Sequence, residues 1–261
     1  MDILIKNAMI FTVNNCNDIL SSSDIAVENG VIKKIGKISE KFHHEKIIDA
    51  TNQIALPGLV NAHTHISMSL FRNYADDMSF WPWLHERIKP LEDQLNADHV
   101  FWGAKLSILE LIKSGVTCFS DMYFFMNNVA EAVKESGIRA CLSSVLIGDK
   151  NFNSDYMRIA SDFFDSWHSK ADGRIKVFFG PHSIYLCGPE YLKEISKEAL
   201  KRATQTHIHL SESKREVSEC IQKNGSSPVE YLTDLGFFEC KSSAAHCVHI
   251  CLLYTSDAAD E

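Results

Sequence analysis

No apolar run in this chain approaches the roughly 18 residues of a membrane span. The opening stretch MDILIKNAMIFTVNN is broken by Lys6 and Asn7, and it lacks the charged start and cleavage site of a signal peptide. A cytoplasmic location is the expectation. Cysteines at C-x-x-C spacing are missing too. The eight cysteines, Cys16, Cys118, Cys141, Cys187, Cys220, Cys240, Cys247 and Cys251, lie scattered, several within apolar strand-like runs. They read as reduced structural residues, and a cysteine-held zinc is not expected. Basic charge is in deficit, with 26 Lys and Arg against 34 Asp and Glu and a net charge of −8. General affinity for nucleic acid or anionic membrane needs a basic face, so neither is an expected partner. Low-complexity segments are absent.

What is present suits a folded enzyme. A chain of 261 residues, 45% apolar and 23% charged, can bury a sizeable core. Residues 1 to 57 read as short strands: ILIKNAMIFTV, a hairpin DIAVENGVIKKIG turning at Asn29-Gly30, then KIIDA and NQIAL, closed by Pro57-Gly58. From Gly58 the rhythm becomes strand, loop, helix. Strands are expected over 59–62, 116–120, 138–146, 175–180 and 206–210, with a sixth ending near His246. Helices are expected over 97–114, 129–136, 154–169, 189–203, 214–223 and 228–235. Asn96 is placed to cap the first of these, and Gly115 and Gly137 to end the first two. Alternating strands and helices imply a parallel sheet, either doubly wound or closed as a (β/α)8 barrel. Polar groups follow several different strands, which favours the barrel.

Those polar groups carry the chemistry. Residues i and i+2 of a strand point the same way, so His63 and His65 can both aim inward with Thr64 turned away. Two neutral imidazoles on one strand end suit Zn²⁺ or Fe²⁺. His207 and His209 repeat the spacing. His209 is the better ligand because Glu212 follows it, and His207 reads as a structural strand residue. A buried carboxylate beside activated water can transfer protons. His182 and His246 follow two further strands, Asp121 ends the second strand, and Glu92 sits in IKPLED; taken singly, each is an ordinary structural residue. The stretch VFFGPHS carries no lysine to bridge two ions, which argues for one metal. The remaining histidines, His43, His44, His85, His99, His168 and His249, read as surface or packing residues.

With Asp49-Ala50, Leu56-Pro57-Gly58, Asn61, His63 and His65, the chain resembles the amidohydrolase superfamily. The segments HTHISMSLFRNYADDMSFWPWL, KPLED, SGVTCFSDMYF, GPHSIYLC, HIHLSE and AAHCVH are similar to its 5-methylthioadenosine/S-adenosylhomocysteine deaminase group. The resemblance runs from residue 1 to about His249. It implies a TIM-type barrel preceded by a β-sandwich segment over 1–57. His63, His65 and His209 would hold one divalent ion, zinc first and iron second. Glu212 would shuttle a proton to the purine ring, and His246 would orient or deprotonate water. Glu92 would accept hydrogen bonds from ribose hydroxyls, and His182 would contact substrate. The implied reaction is hydrolytic deamination of a purine nucleoside to its inosine analogue and ammonia. Alternatives are guanine deaminase, triazine hydrolase, or a non-catalytic fragment that at most binds nucleosides. A full-length chain could pair with copies of itself.

Two departures stand out. Members that take S-adenosylhomocysteine often present an arginine after strand three; here that neighbourhood is CLSSVLIG, leaving Arg158 as the substitute. The end CLLYTSDAADE matches no family segment and reads as translated adapter sequence. A barrel needs about 250 residues. The expectation is therefore an incomplete barrel of about six strands over 58–250, with strands seven and eight and the family's aspartate ligand missing, and an artefactual tail over 251–261.

Overall fold

The structure, a computed structural model, describes residues 2–39, 42–148 and 154–250. The chain divides into one compact unit ending at Leu59 and another beginning at Val60. The first holds strands β1 (Ile3–Phe11), β2 (Ile19–Glu28), β3 (Val31–Gly36), β4 (Lys46–Asp49) and β5 (Ile54–Ala55). They form one sheet in the order β3-β2-β1-β4, with β5 also on β1. Among the described residues this unit is a single sheet. The hairpin turns at Asn29-Gly30, where both residues have positive φ, 52° and 75°, and Glu28 faces Val31. This is the turn whose twist suits paired strands. Alternate residues of β1, Ala8 and Ile10, pack with Ile25 and Ala50 as its small core.

The second unit is built on six strands: β6 (Leu59–Thr64), β7 (Val116–Tyr123), β8 (Arg139–Leu146), β9 (Ile175–Pro181), β10 (Thr206–Leu210) and β11 (Ser242–His246). They lie side by side in chain order, from β6 to β11. From β7 to β11 the pairings are parallel, for example Asp121 beside Leu142, Val145 beside Gly180 and Leu210 beside His246. Six strands in a mixed α/β unit agree with the expected incomplete barrel. Main helices are α3 (Ala97–Lys113), α4 (Met126–Ser136), α5 (Ser154–Trp167), α6 (Pro189–Lys201), α7 (Lys214–Asn224) and α8 (Pro228–Asp234). Asn96 caps α3 by accepting from the His99 amide at 2.9 Å. Two apolar clusters form the core: one from Val100, Ile108, Phe119, Val129 and Leu142, the other from Phe179, Leu192, Ile195, Ile208 and Leu232.

Two features were not anticipated. A 3₁₀ turn over Ile66–Phe71 follows β6, and the WPWL region folds as α1 (Phe80–Pro82), a π-helical turn (Trp83–Ile88) and α2 (Lys89–Glu92). Strands β6 and β7 also run further than expected, to Thr64 and Tyr123, so His63 lies within β6 and Asp121 within β7 rather than at its end. Strand β9 approaches β8 closely at Gly180, where an added Cβ would stand 2.8 Å from Ser143 Cβ. Only glycine allows that approach. The expected artefactual tail, 251–261, lies outside the described residues.

Candidate active site

Five histidines converge where these strands end. The rings of His63 and His65 are 4.9 Å apart, His63 and His209 4.9 Å, and His63 and His246 4.9 Å. The His182 ring lies 4.5 Å from that of His209. One ligand atom from each of His63, His209 and His246 falls within 4.8 Å of the others. His65 stands beside this trio, its Nε2 3.2 Å from His209 Nε2. His246 reaches the group through a left-handed backbone, φ 70°, at the end of β11. That conformation is uncommon for any residue but glycine, and it recurs at Ser211, φ 51°, and Cys247, φ 54°.

The hydrogen bonds fix where the imidazole protons lie. His65 Nδ1 donates to the Met122 carbonyl at 2.6 Å, and His209 Nδ1 donates to the His182 carbonyl at 2.7 Å. A carbonyl only accepts, so both rings carry their proton on Nδ1. Burial lowers the pKa of both and keeps them neutral. Their Nε2 lone pairs therefore face one another across 3.2 Å. His63 Nε2 is buried with no partner among the described residues, and burial pushes this histidine down to about 3. Converging lone pairs on neutral rings repel unless a cation lies among them. The donor set, nitrogen only and rigidly backed, fits a single divalent transition metal.

Glu212 follows β10 and lines the same space. Its Oε1 is 3.5 Å from His246 Nε2. Burial, then the neighbouring Glu216, pushes the Glu212 carboxyl up to about 7. Glu216 holds the turn that carries it: its two carboxylate oxygens accept the amides of Ser211 and Glu212, each at 2.8 Å. Asp121 is fully buried behind β6, accepting from Thr64 Oγ1 at 3.0 Å and from the Ile66 amide at 2.9 Å. Burial pushes it up to about 7. Asp121 is not among the residues that line the cavity at the site.

A cavity of about 220 Å³ opens on the cluster. Its wall includes His65, His182, His209, Glu212 and His246, together with Glu92 and an apolar side formed by Phe80, Trp81, Trp83, Ile88 and Phe124. Burial raises the Glu92 carboxyl. Among the wall residues, Trp81 carries a buried ring nitrogen with no partner among the described residues, while Tyr123 stands beside Glu92 and Tyr185 beside Ser183. Arg215 at the start of α7 lies over the Trp81 ring at 4.6 Å and ties that wall to the Glu212 turn. Sequence reading missed this aromatic wall, and it missed His85, which lines the cavity and stacks on Trp81 at 5.5 Å. The three aromatics around Pro82, Phe80, Trp81 and Trp83, were the available signal. Arg158 does not reach the site; it is an exposed residue of α5 paired with Asp155 and Asp162.

Comparison with known proteins adds to this geometry. The sequence pattern of the amidohydrolase family matches residues 54–259. A Thermoanaerobacter pseudethanolicus protein named 5-methylthioadenosine/S-adenosylhomocysteine deaminase is 46% identical over 252 residues, covering 96% of this chain and 58% of its own length. One of the same name from Carboxydothermus hydrogenoformans is 43% identical over 253 residues, with 96% and 58% covered. The chain thus spans a little under three-fifths of these relatives. Among solved structures, a zinc-bound adenosine deaminase from Xanthomonas campestris superposes with a TM-score of 0.90 at 27% identity, covering 99% of this chain and 60% of that one. A guanine deaminase from C. acetobutylicum gives 0.80 at 22% identity, covering 97% and 64%, a likeness of fold.

Proposed function

Because the chain belongs to the amidohydrolase family, we propose that its full-length protein removes the 6-amino group of an adenine nucleoside by hydrolysis, with 5-methylthioadenosine or S-adenosylhomocysteine as substrate. The observation that carries this is the meeting of the neutral histidine cluster with Glu212 in one cavity. The relatives named above support the substrate class.

His63, His65 and His209 would hold the ion, zinc ahead of iron. When bound, it supplies Lewis acidity and activates water near neutral pH. Glu212, pushed up to about 7, is partly protonated at neutrality and would give that proton to a ring nitrogen. His246, 3.5 Å from that carboxyl, would orient the attacking water and relay its proton. Glu92 would take the ribose hydroxyls, and His182 would contact the substrate. The apolar wall around Trp81 and Phe124 excludes water and suits a thioether substituent. A cytoplasmic setting goes with this reading: the seven described cysteines are all free.

The test is turnover by the full-length protein. 5-Methylthioadenosine should yield the inosine analogue and ammonia. Glu212→Gln should retain the metal and lose about 10²-fold or more in rate. Turnover of guanine or a triazine, with adenosines untouched, would reject the substrate assignment.

A further inference from the structure

His207 has no place in the chemistry above, yet it is completely buried, and both its ring nitrogens are engaged. Its Nε2 lies 3.0 Å from His63 Nδ1, and its Nδ1 lies 2.9 Å from Ser120 Oγ. It sits two residues before His209 on β10, one layer deeper in the sheet. Ser120, His207 and His63 thus form a line that crosses from β7 through β10 to β6.

Two proton orders fit these distances. In one, the Ser120 hydroxyl donates to His207 Nδ1, and His207 Nε2–H donates to His63 Nδ1. A neutral His63 then carries its proton on Nε2, the buried atom that has no acceptor among the described residues. A buried donor left unpaired is costly, and a protonated Nε2 cannot bind an ion. In the other order, His63 Nδ1–H donates to His207 Nε2, and His207 Nδ1–H donates to Ser120 Oγ. His63 Nε2 then offers its lone pair towards the lone pairs of His65 and His209. Those two rings have their Nδ1 protons fixed by backbone carbonyls. His63 has no carbonyl in that position and has His207 instead.

We propose that His207 is a positioning residue for the metal site: it accepts the Nδ1 proton of His63 and, anchored by Ser120, holds His63 in the tautomer and orientation that present Nε2 to the ion. This rests on the metal reading given above. Hydrogen-bonded partners behind metal ligands commonly contribute 10–100-fold in metal affinity.

The experiment compares zinc affinity, by competition with a chromophoric chelator, in the full-length protein and in two variants. Glutamine places an acceptor oxygen near the position of Nε2, so His207→Gln should bind zinc close to the parent value. His207→Leu, similar in bulk but without an acceptor, should bind about 10–100-fold more weakly. Equal affinity for His207→Leu and the parent would overturn the proposal, as would a Gln variant as weak as the Leu variant. Isotope-labelled histidine NMR of the zinc-loaded parent is independent of whether the variants fold. It should show protons on Nδ1 of both His63 and His207, and a proton on His207 Nε2 would overturn the assignment. A parent that binds no zinc would reject the metal reading itself, and this inference with it.

Discussion

His65 and His209 each donate an Nδ1 proton to a backbone carbonyl, and that choice sets the behaviour of the opposite nitrogen. Removing two of the converging rings should therefore abolish binding rather than weaken it. In the full-length protein, metal analysis should find about one transition-metal ion per chain. The His63→Ala/His65→Ala double variant should contain almost none, and unchanged metal content would reject the ligand assignment. Acid sensitivity of the metal-free protein follows from the same rings. Burial depresses seven histidines, His168 and the six at the site, His63, His65, His182, His207, His209 and His246, with His207 held at about 4 and His182 at about 3. In the unfolded chain they titrate near 6.5. Between these values the unfolded state binds more protons, so stability present above about 6.5 is lost as pH falls. Burial raises four carboxyls, Glu92, Asp121, Glu212 and Glu216, and these act in the opposite direction over the same window. The histidines outnumber them, so the melting temperature should fall between about pH 6.5 and 4.5. A melting temperature that rises over that interval would show that the rings are not held neutral.

At the scale of elements, the turn between β10 and α7 is the most constrained piece near the site. Ser211 is left-handed, and Glu216, only 2% exposed, reaches back from α7 to bind two amides of the turn. Glu216→Ala would leave both amides without an acceptor, at about 1–3 kcal/mol each. The expected outcome is a lower melting temperature together with a lower turnover number, because Glu212 rides on this turn. Full activity in that variant would separate the turn from the chemistry. None of this was readable in LSESKREV, where Glu216 looks like an ordinary residue in the first turn of a helix. Elements with regular patterning were readable: the Asn29-Gly30 hairpin, α3 from its Asn96 cap, and β10 to the residue. The stretch from Ile66 to Glu92 was not, because its aromatics and Pro82 follow neither a two-residue nor a 3.6-residue period. His207 was passed over for a different reason. Spacing shows that two strand residues share a side, and does not show which layer of a barrel each one occupies.

At the scale of the molecule, β6 and β11 end the strand order of the large sheet, so among the described residues each has one strand neighbour. Unpaired edges offer backbone donors and acceptors to other chains. The 261-residue chain by itself should therefore self-associate as its concentration rises, and light scattering during size-exclusion chromatography would detect it. A monodisperse monomer at all concentrations would mean that these edges are covered. The strict chain order of the strands has a second consequence, for synthesis. Among the described residues, each strand from β7 to β11 pairs with the one made just before it, so none of these five must wait for a later strand to find that neighbour. Domains fold as the chain emerges, at about 5–20 residues per second. The sheet can thus extend one strand at a time during translation, and protease-resistant nascent chains should lengthen in steps of one strand and its helix.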